Sequence, residues 1–106
     1  ELSGGDGNDI LEGAFGADVL SGGSGSDQFV FAFGDGGFTA ATADLVTDYD
    51  VIDDEIGLAF GLTFADLNIT DGAGGAEVAI GFTGEVLATF QGISAVDLDA
   101  GEFVLI

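Results

Sequence analysis

Large apolar residues return at every ninth position near the start of the chain: Leu11, Leu20 and Phe29, with Leu2 in the same phase. Two residues before each of the first three stands an aspartate, Asp9, Asp18 and Asp27, and the stretches between are rich in glycine. Three units can be written out. They are Gly4-Gly5-Asp6-Gly7-Asn8-Asp9-Ile10-Leu11-Glu12, Gly13-Ala14-Phe15-Gly16-Ala17-Asp18-Val19-Leu20-Ser21 and Gly22-Gly23-Ser24-Gly25-Ser26-Asp27-Gln28-Phe29-Val30. Positions seven to nine of each unit predict a short strand whose central side chain faces one way and its neighbours the other. A unit that buries one side chain cannot make a core alone, so the units have to stack. A flexible Gly-Asp linker has no reason to keep aspartate and a bulky apolar residue in phase. Glu1 to Ser3 reads as the tail of a preceding unit.

Beyond Phe31 the period is lost, but short apolar runs separated by Gly and Asp still predict strands, over 28–33, 67–70, 77–82, 85–90 and 103–106. Residues 71–76 and Thr83-Gly84 supply turns between three of them, which implies an antiparallel meander. Thr63-Phe64-Ala65-Asp66 and Ser94-Ala95-Val96-Asp97 resemble capping boxes, each good for one short helical turn. The 106 residues are expected to form a single domain, with 1–30 as the repeats and 31–106 as a β-rich continuation.

Charge changes the picture more than hydropathy does. Twenty acidic residues face no Lys, Arg or His, for a formal charge of −20, so no side-chain ion pair is possible. Two carboxylates about 4 Å apart repel by roughly 4 kcal/mol at an effective dielectric near 20, so clustered acids oppose folding unless cations intervene. Nucleic acid and anionic membranes are excluded as partners, since both require basic side chains. The absence of Cys and His removes disulfides, zinc-thiolate sites and the commonest transition-metal ligand, leaving hard oxygen donors. The short, interrupted apolar runs predict no transmembrane span and no N-terminal signal peptide, and the missing initiator Met suggests a piece of a longer protein.

The nine-residue unit resembles the repeat-in-toxin signature Gly-Gly-x-Gly-x-Asp-x-U-x of calcium-binding proteins. The resemblance implies an all-β fold: a short parallel β-roll, the calcium-binding nonapeptide solenoid, in which two repeats make one coil and loops n and n+2 stack with Ca2+ between them. Carried onto this chain, it implies a shared site with Asp9 and Asp27 as carboxylates and the carbonyls of Gly5, Gly7, Gly22 and Ser24 as further ligands. Asp18 faces the other side and needs a partner from an upstream loop or from the segment after Val30.

The stretches Phe29-Val30-Phe31, 44–50, Asp53, 62–67 and Glu102-Phe103-Val104-Leu105-Ile106 look like the antiparallel C-terminal cap that follows such repeats in type I secreted proteins. That likeness implies a secreted, extracellular or cell-surface location and transient engagement of the type I secretion apparatus through an uncleaved signal. The acidic cluster Asp44, Asp48, Asp50, Asp53, Asp54 and Glu55 is a candidate for one more ion, although an EF-hand is the wrong reading because Asp53 stands where that loop needs glycine. No catalytic pair stands out, so no enzyme is expected in this segment. The expected function is a calcium-binding module that folds on meeting calcium outside the cell. The alternative is calcium-dependent binding of a polysaccharide.

Overall fold

The computed structural model describes residues 2–12, 18–32, 43–59, 61–81 and 83–106. Expectations that fall on Glu1, on the loop of the second repeat with its Ala14, and on Phe33 and Phe82 lie outside the described residues. The described residues contain strands but no α-helix.

Each nine-residue unit delivers its strand where the apolar phase predicts: β1 (Leu2–Ser3), β2 (Ile10–Glu12), β3 (Val19–Ser21) and β4 (Gln28–Phe31). Two further strands follow, β5 (Asp44–Val46) and β6 (Glu55–Leu58), and successive strands alternate between two sheets. Each therefore pairs in parallel with the strand two before it. Leu2 sits opposite Leu20, Leu11 opposite Phe29, Leu20 opposite Val46, and Phe29 opposite Ile56. The eighth-position side chains Leu11, Leu20 and Phe29 point inward and are buried between the sheets, because a one-residue slip would turn every one of them outward.

The remaining strands are β7 (Leu67–Asp71), β8 (Gly75–Ile80), β9 (Val86–Gln91) and β10 (Phe103–Leu105). β7, β8 and β9 form the expected antiparallel meander, and β9 joins it in parallel to β5. β10 lies apart from the meander, parallel to β6 in the other sheet. The two sheets run β1-β3-β5-β9-β8-β7 and β10-β6-β4-β2. Parallel stacking thus continues well past Val30, into the stretch read from sequence as an antiparallel continuation. β5 and β6 were not foreseen, being three and four residues long and flanked by acids rather than by turn glycines.

Both expected helical turns form, as 3-10 turns at Phe64–Asp66 and Ala95–Asp97. In the first, the Asp66 carboxylate accepts from Thr63 N and Thr63 Oγ1 at 3.0 Å each. In the second, Ser94 makes no side-chain cap; Ala95 N instead donates to Asp71 Oδ1 at 2.7 Å. One aromatic group ties coil and meander together: Tyr49 packs 6.0 Å from Phe29 and edge-on 5.1 Å from Phe90, which meets Phe31 at 6.1 Å.

Candidate metal centre

Stacking the strands stacks the loops that precede them. Loops 4–9 and 22–27 lie on one edge of the coil, one above the other, as Gly4 N donates to Ser21 O at 2.8 Å and Gln28 N to Asp9 O at 2.8 Å. Their backbones repeat the same conformation, with positive φ at the second and fourth residues: +83° and +92° at Gly5 and Gly7, +80° and +101° at Gly23 and Gly25. The left-handed backbone favours glycine at all four positions, and at Gly23 and Gly25 closeness requires it as well. A Cβ on Gly23 would collide with the Gly5 carbonyl oxygen, and one on Gly25 with that of Gly7. Those carbonyls therefore face the next loop.

The aspartates make a ladder. Asp9 N donates to Asp27 Oδ1 at 2.9 Å, and Asp27 N donates to Asp54 Oδ1 at 2.8 Å. On the opposite edge Asp18 N donates to Asp44 Oδ1 at 2.9 Å. Asp18 is thus opposed by Asp44, from the segment after Val30. Oδ2 of Asp9 and of Asp27 is buried with no hydrogen-bond partner. Each sits in the hollow above the first glycine of its own repeat, Gly4 and Gly22. Over Gly4 two loops contribute to one hollow: Asp9 Oδ2 and the Gly22 carbonyl oxygen lie 2.6 and 2.8 Å from the point a Cβ would occupy. Around it, Ser24 Oγ donates to Asp6 Oδ1 at 2.9 Å and Ser26 N to Asn8 Oδ1 at 2.8 Å, closing the outer face of the stack.

Buried oxygens without donors, on a chain without a basic side chain, fit a hard cation. The donors are carboxylate and carbonyl oxygens alone, which suits calcium and not zinc or copper. Among the described residues no three acidic side chains converge on one point, so backbone carbonyls would complete any coordination shell.

The structure brings together Asp9, Asp27, Gly5, Gly7, Gly22 and Ser24 in the two stacked loops. It separates the acidic cluster. Asp44 stands on the Asp18 edge, whereas Asp48, Asp50 and Asp53 lie in the turn 48–54 beyond loop 22–27. Asp48 accepts from Gly22 N, Gly23 N and Ser21 Oγ at 2.9, 2.9 and 3.1 Å. Asp50 Oδ1 accepts from Ile52 N at 2.8 Å, and Asp53 borders an open groove beside the stack that Asn8, Ser26 and Glu55 also line. Asp54 is the ladder member that sequence reasoning did not place in register with Asp27. Burial raises its carboxyl above the ordinary value, against the lowering effect of amide hydrogen bonds from Asp27 and Asp50. A signal was present: Asp44-Leu45-Val46 and Asp54-Glu55-Ile56 repeat the Asp-x-apolar triplet of each unit without its glycines.

Residues 2–37 match the RTX calcium-binding nonapeptide repeat (4 copies). The match takes in both stacked loops and suggests a calcium-binding module, with the RTX repeats covering about a third of the chain. Comparison of the whole chain with curated proteins returns no match. Among the described residues no helix is long and apolar enough to cross a membrane.

Proposed function

We propose that this segment is a calcium-operated folding module that closes outside the cell and so supports type I secretion of a larger parent protein. The observation that carries the reading is the hollow over Gly4, where the buried Asp9 Oδ2, which has no hydrogen-bond partner, comes close to the Gly22 carbonyl oxygen of the next loop in a chain with no basic side chain. Asp9 and Asp27, with the carbonyls of Gly5, Gly7, Gly22 and Ser24, are the residues that would hold calcium, whose charge would offset the repulsion between them. Asp18 and Asp44 form a second, lesser candidate on the other edge. Since the loops oppose one another only when the strands are stacked, affinity for calcium becomes stability of the fold. Without calcium the like charges favour opening of the stacked glycine loops.

Titration of calcium into chelator-treated protein, followed by calorimetry and circular dichroism, tests this. Binding heat, gain of strand signal and a higher melting temperature are expected, with Asp9→Ala and Asp27→Ala losing most of the response and Asp18→Ala less. Identical melting curves in calcium and in chelator would overturn the reading.

A further inference from the structure

The turn 48–54 occupies the third level of the same stack as loops 4–9 and 22–27, yet it contains no glycine and solves the loop-closing problem differently. Three of its four aspartates, Asp48, Asp50 and Asp54, accept hydrogen bonds from within the protein. Both oxygens of Asp48 take hydrogen bonds from the loop above, two from the amides of Gly22 and Gly23 and one from Ser21 Oγ. Both oxygens of Asp54 are also engaged, Oδ1 by Asp27 N and Oδ2 by Asp50 N at 2.9 Å, while Asp54 N closes the turn onto Asp50 O at 2.8 Å. Asp27, one level up, has the same register and backbone hydrogen bond but a buried Oδ2 with no donor. Two or three N–H or O–H donors stabilise a carboxylate in its charged form, which is the service a cation would otherwise provide.

The material beneath this turn is also the better-packed part of the molecule. Among the described residues, the main core cluster has sixteen buried members, of which four (Leu11, Leu20, Phe29 and Phe31) precede residue 32 and the other twelve follow residue 45. The longest strands and both antiparallel pairings, β7 with β8 and β8 with β9, lie there too. Tyr49 fastens the turn to the end of the chain, its hydroxyl donating to Glu102 Oε1 at 2.7 Å and lying 3.1 Å from Asp54 O.

We propose that the turn 48–54 is a built-in, metal-independent terminator of the loop stack, so that on this edge of the coil the calcium requirement ends at Asp27 and the chain from Asp48 onward keeps its fold when calcium is removed. The proposal rests on the calcium reading above and adds where that dependence stops. Asp48 and Asp54 present to loop 22–27 a fixed, prefolded level on which the glycine loops assemble.

Hydrogen exchange read by mass spectrometry on the whole chain, in calcium and in excess chelator, decides it. With calcium at about 100 times its dissociation constant, chelation should cost residues 2–31 about 100-fold in protection, while β7, β8 and β9 change by less than about threefold. Asp48→Asn should speed exchange in β5 and β6 with and without calcium, whereas Asp27→Asn should do so in residues 2–31 in calcium alone. Loss of protection throughout the chain on chelation would overturn the terminator while leaving calcium binding intact. Unchanged protection everywhere would overturn the calcium reading and the terminator with it.

Discussion

Loop 22–27 and the turn 48–54 hold neighbouring levels of one stack by opposite means. The first uses backbone: glycines at φ +80° and +101° let it lie against the carbonyls of the loop above, at the cost of leaving Asp27 Oδ2 buried without a donor. The second uses side chains: Asp48, Asp50 and Asp54 accept amides, so donors within the protein offset part of its charge. The same register can therefore be kept with or without an external cation, depending on whether donors reach the carboxylates. Variants on either side of this boundary should behave differently.

The largest effect belongs to the core below the boundary. Phe90 is fully buried, edge-on to Tyr49 and Phe31, and Phe90→Ala should cost about 3–5 kcal/mol. The loss should be present in calcium and in chelator alike, seen as a lower denaturation midpoint in both. Leu11→Ala, above the boundary, should cost about 2–3 kcal/mol and only in calcium. A Phe90→Ala loss confined to calcium-loaded protein would erase the distinction between the two regions.

Next come the glycines, where two substitutions differ in one respect. Gly5 and Gly23 hold the same repeat position and nearly the same φ, +83° and +80°, but nothing lies within 4 Å of a Cβ on Gly5, whereas one on Gly23 meets the Gly5 carbonyl. Gly5→Ala should cost the left-handed penalty alone, about 1–2 kcal/mol, and Gly23→Ala clearly more. Gly23→Ala should also weaken calcium response in the titration. Equal melting temperatures for the two variants would mean that the loops are not in contact in solution.

How much of this was legible in the sequence follows from the same boundary. Above it, one residue type per position carries the structure. The phase of Leu11, Leu20 and Phe29 set which side chains enter the core, and Gly-x-Gly before Asp marked the loops, while the stacking of repeats one and three was implied by the resemblance to the repeat-in-toxin signature. The meander was legible because β8 alternates buried and half-buried residues and its turns carry Gly72, Gly74 and Gly84. Below the boundary the signals thin out. β5 and β6 keep only the Asp-x-apolar triplet, and an unbroken acidic run from Asp53 to Glu55 reads as a cluster. Whether Asp48 meets an amide or an ion depends on the position of Gly22 and Gly23, some 25 residues away in sequence, and no local pattern encodes that. The parallel placement of β10 beside β6 is likewise a long-range outcome, helped by Phe103 packing 5.0 Å from Phe64.

The smallest effect sharpens the comparison from the alkaline side. Tyr49 is the single tyrosine in a chain without Lys or Cys, so its hydroxyl is the one side chain whose ordinary pKa, near 10, lies between pH 8 and 11. Burial, and then the Glu102 carboxylate that accepts its hydrogen bond, push that value well up in the folded protein. The folded state therefore keeps a proton that the unfolded chain loses near pH 10. The stability this represents is complete below pH 10 and falls above it, by up to about 1.4 kcal/mol per pH unit. Tyr49→Phe should cost about 1 kcal/mol at pH 7, by leaving Glu102 Oε1 without its donor, and should abolish the alkaline fall. Because Tyr49 belongs to the metal-independent side, both effects should be the same in chelator as in calcium. Denaturant melts of the two proteins at pH 8 to 11 measure this, and a variant that still lost stability above pH 10 would place the alkaline sensitivity elsewhere than in the Tyr49–Glu102 bond.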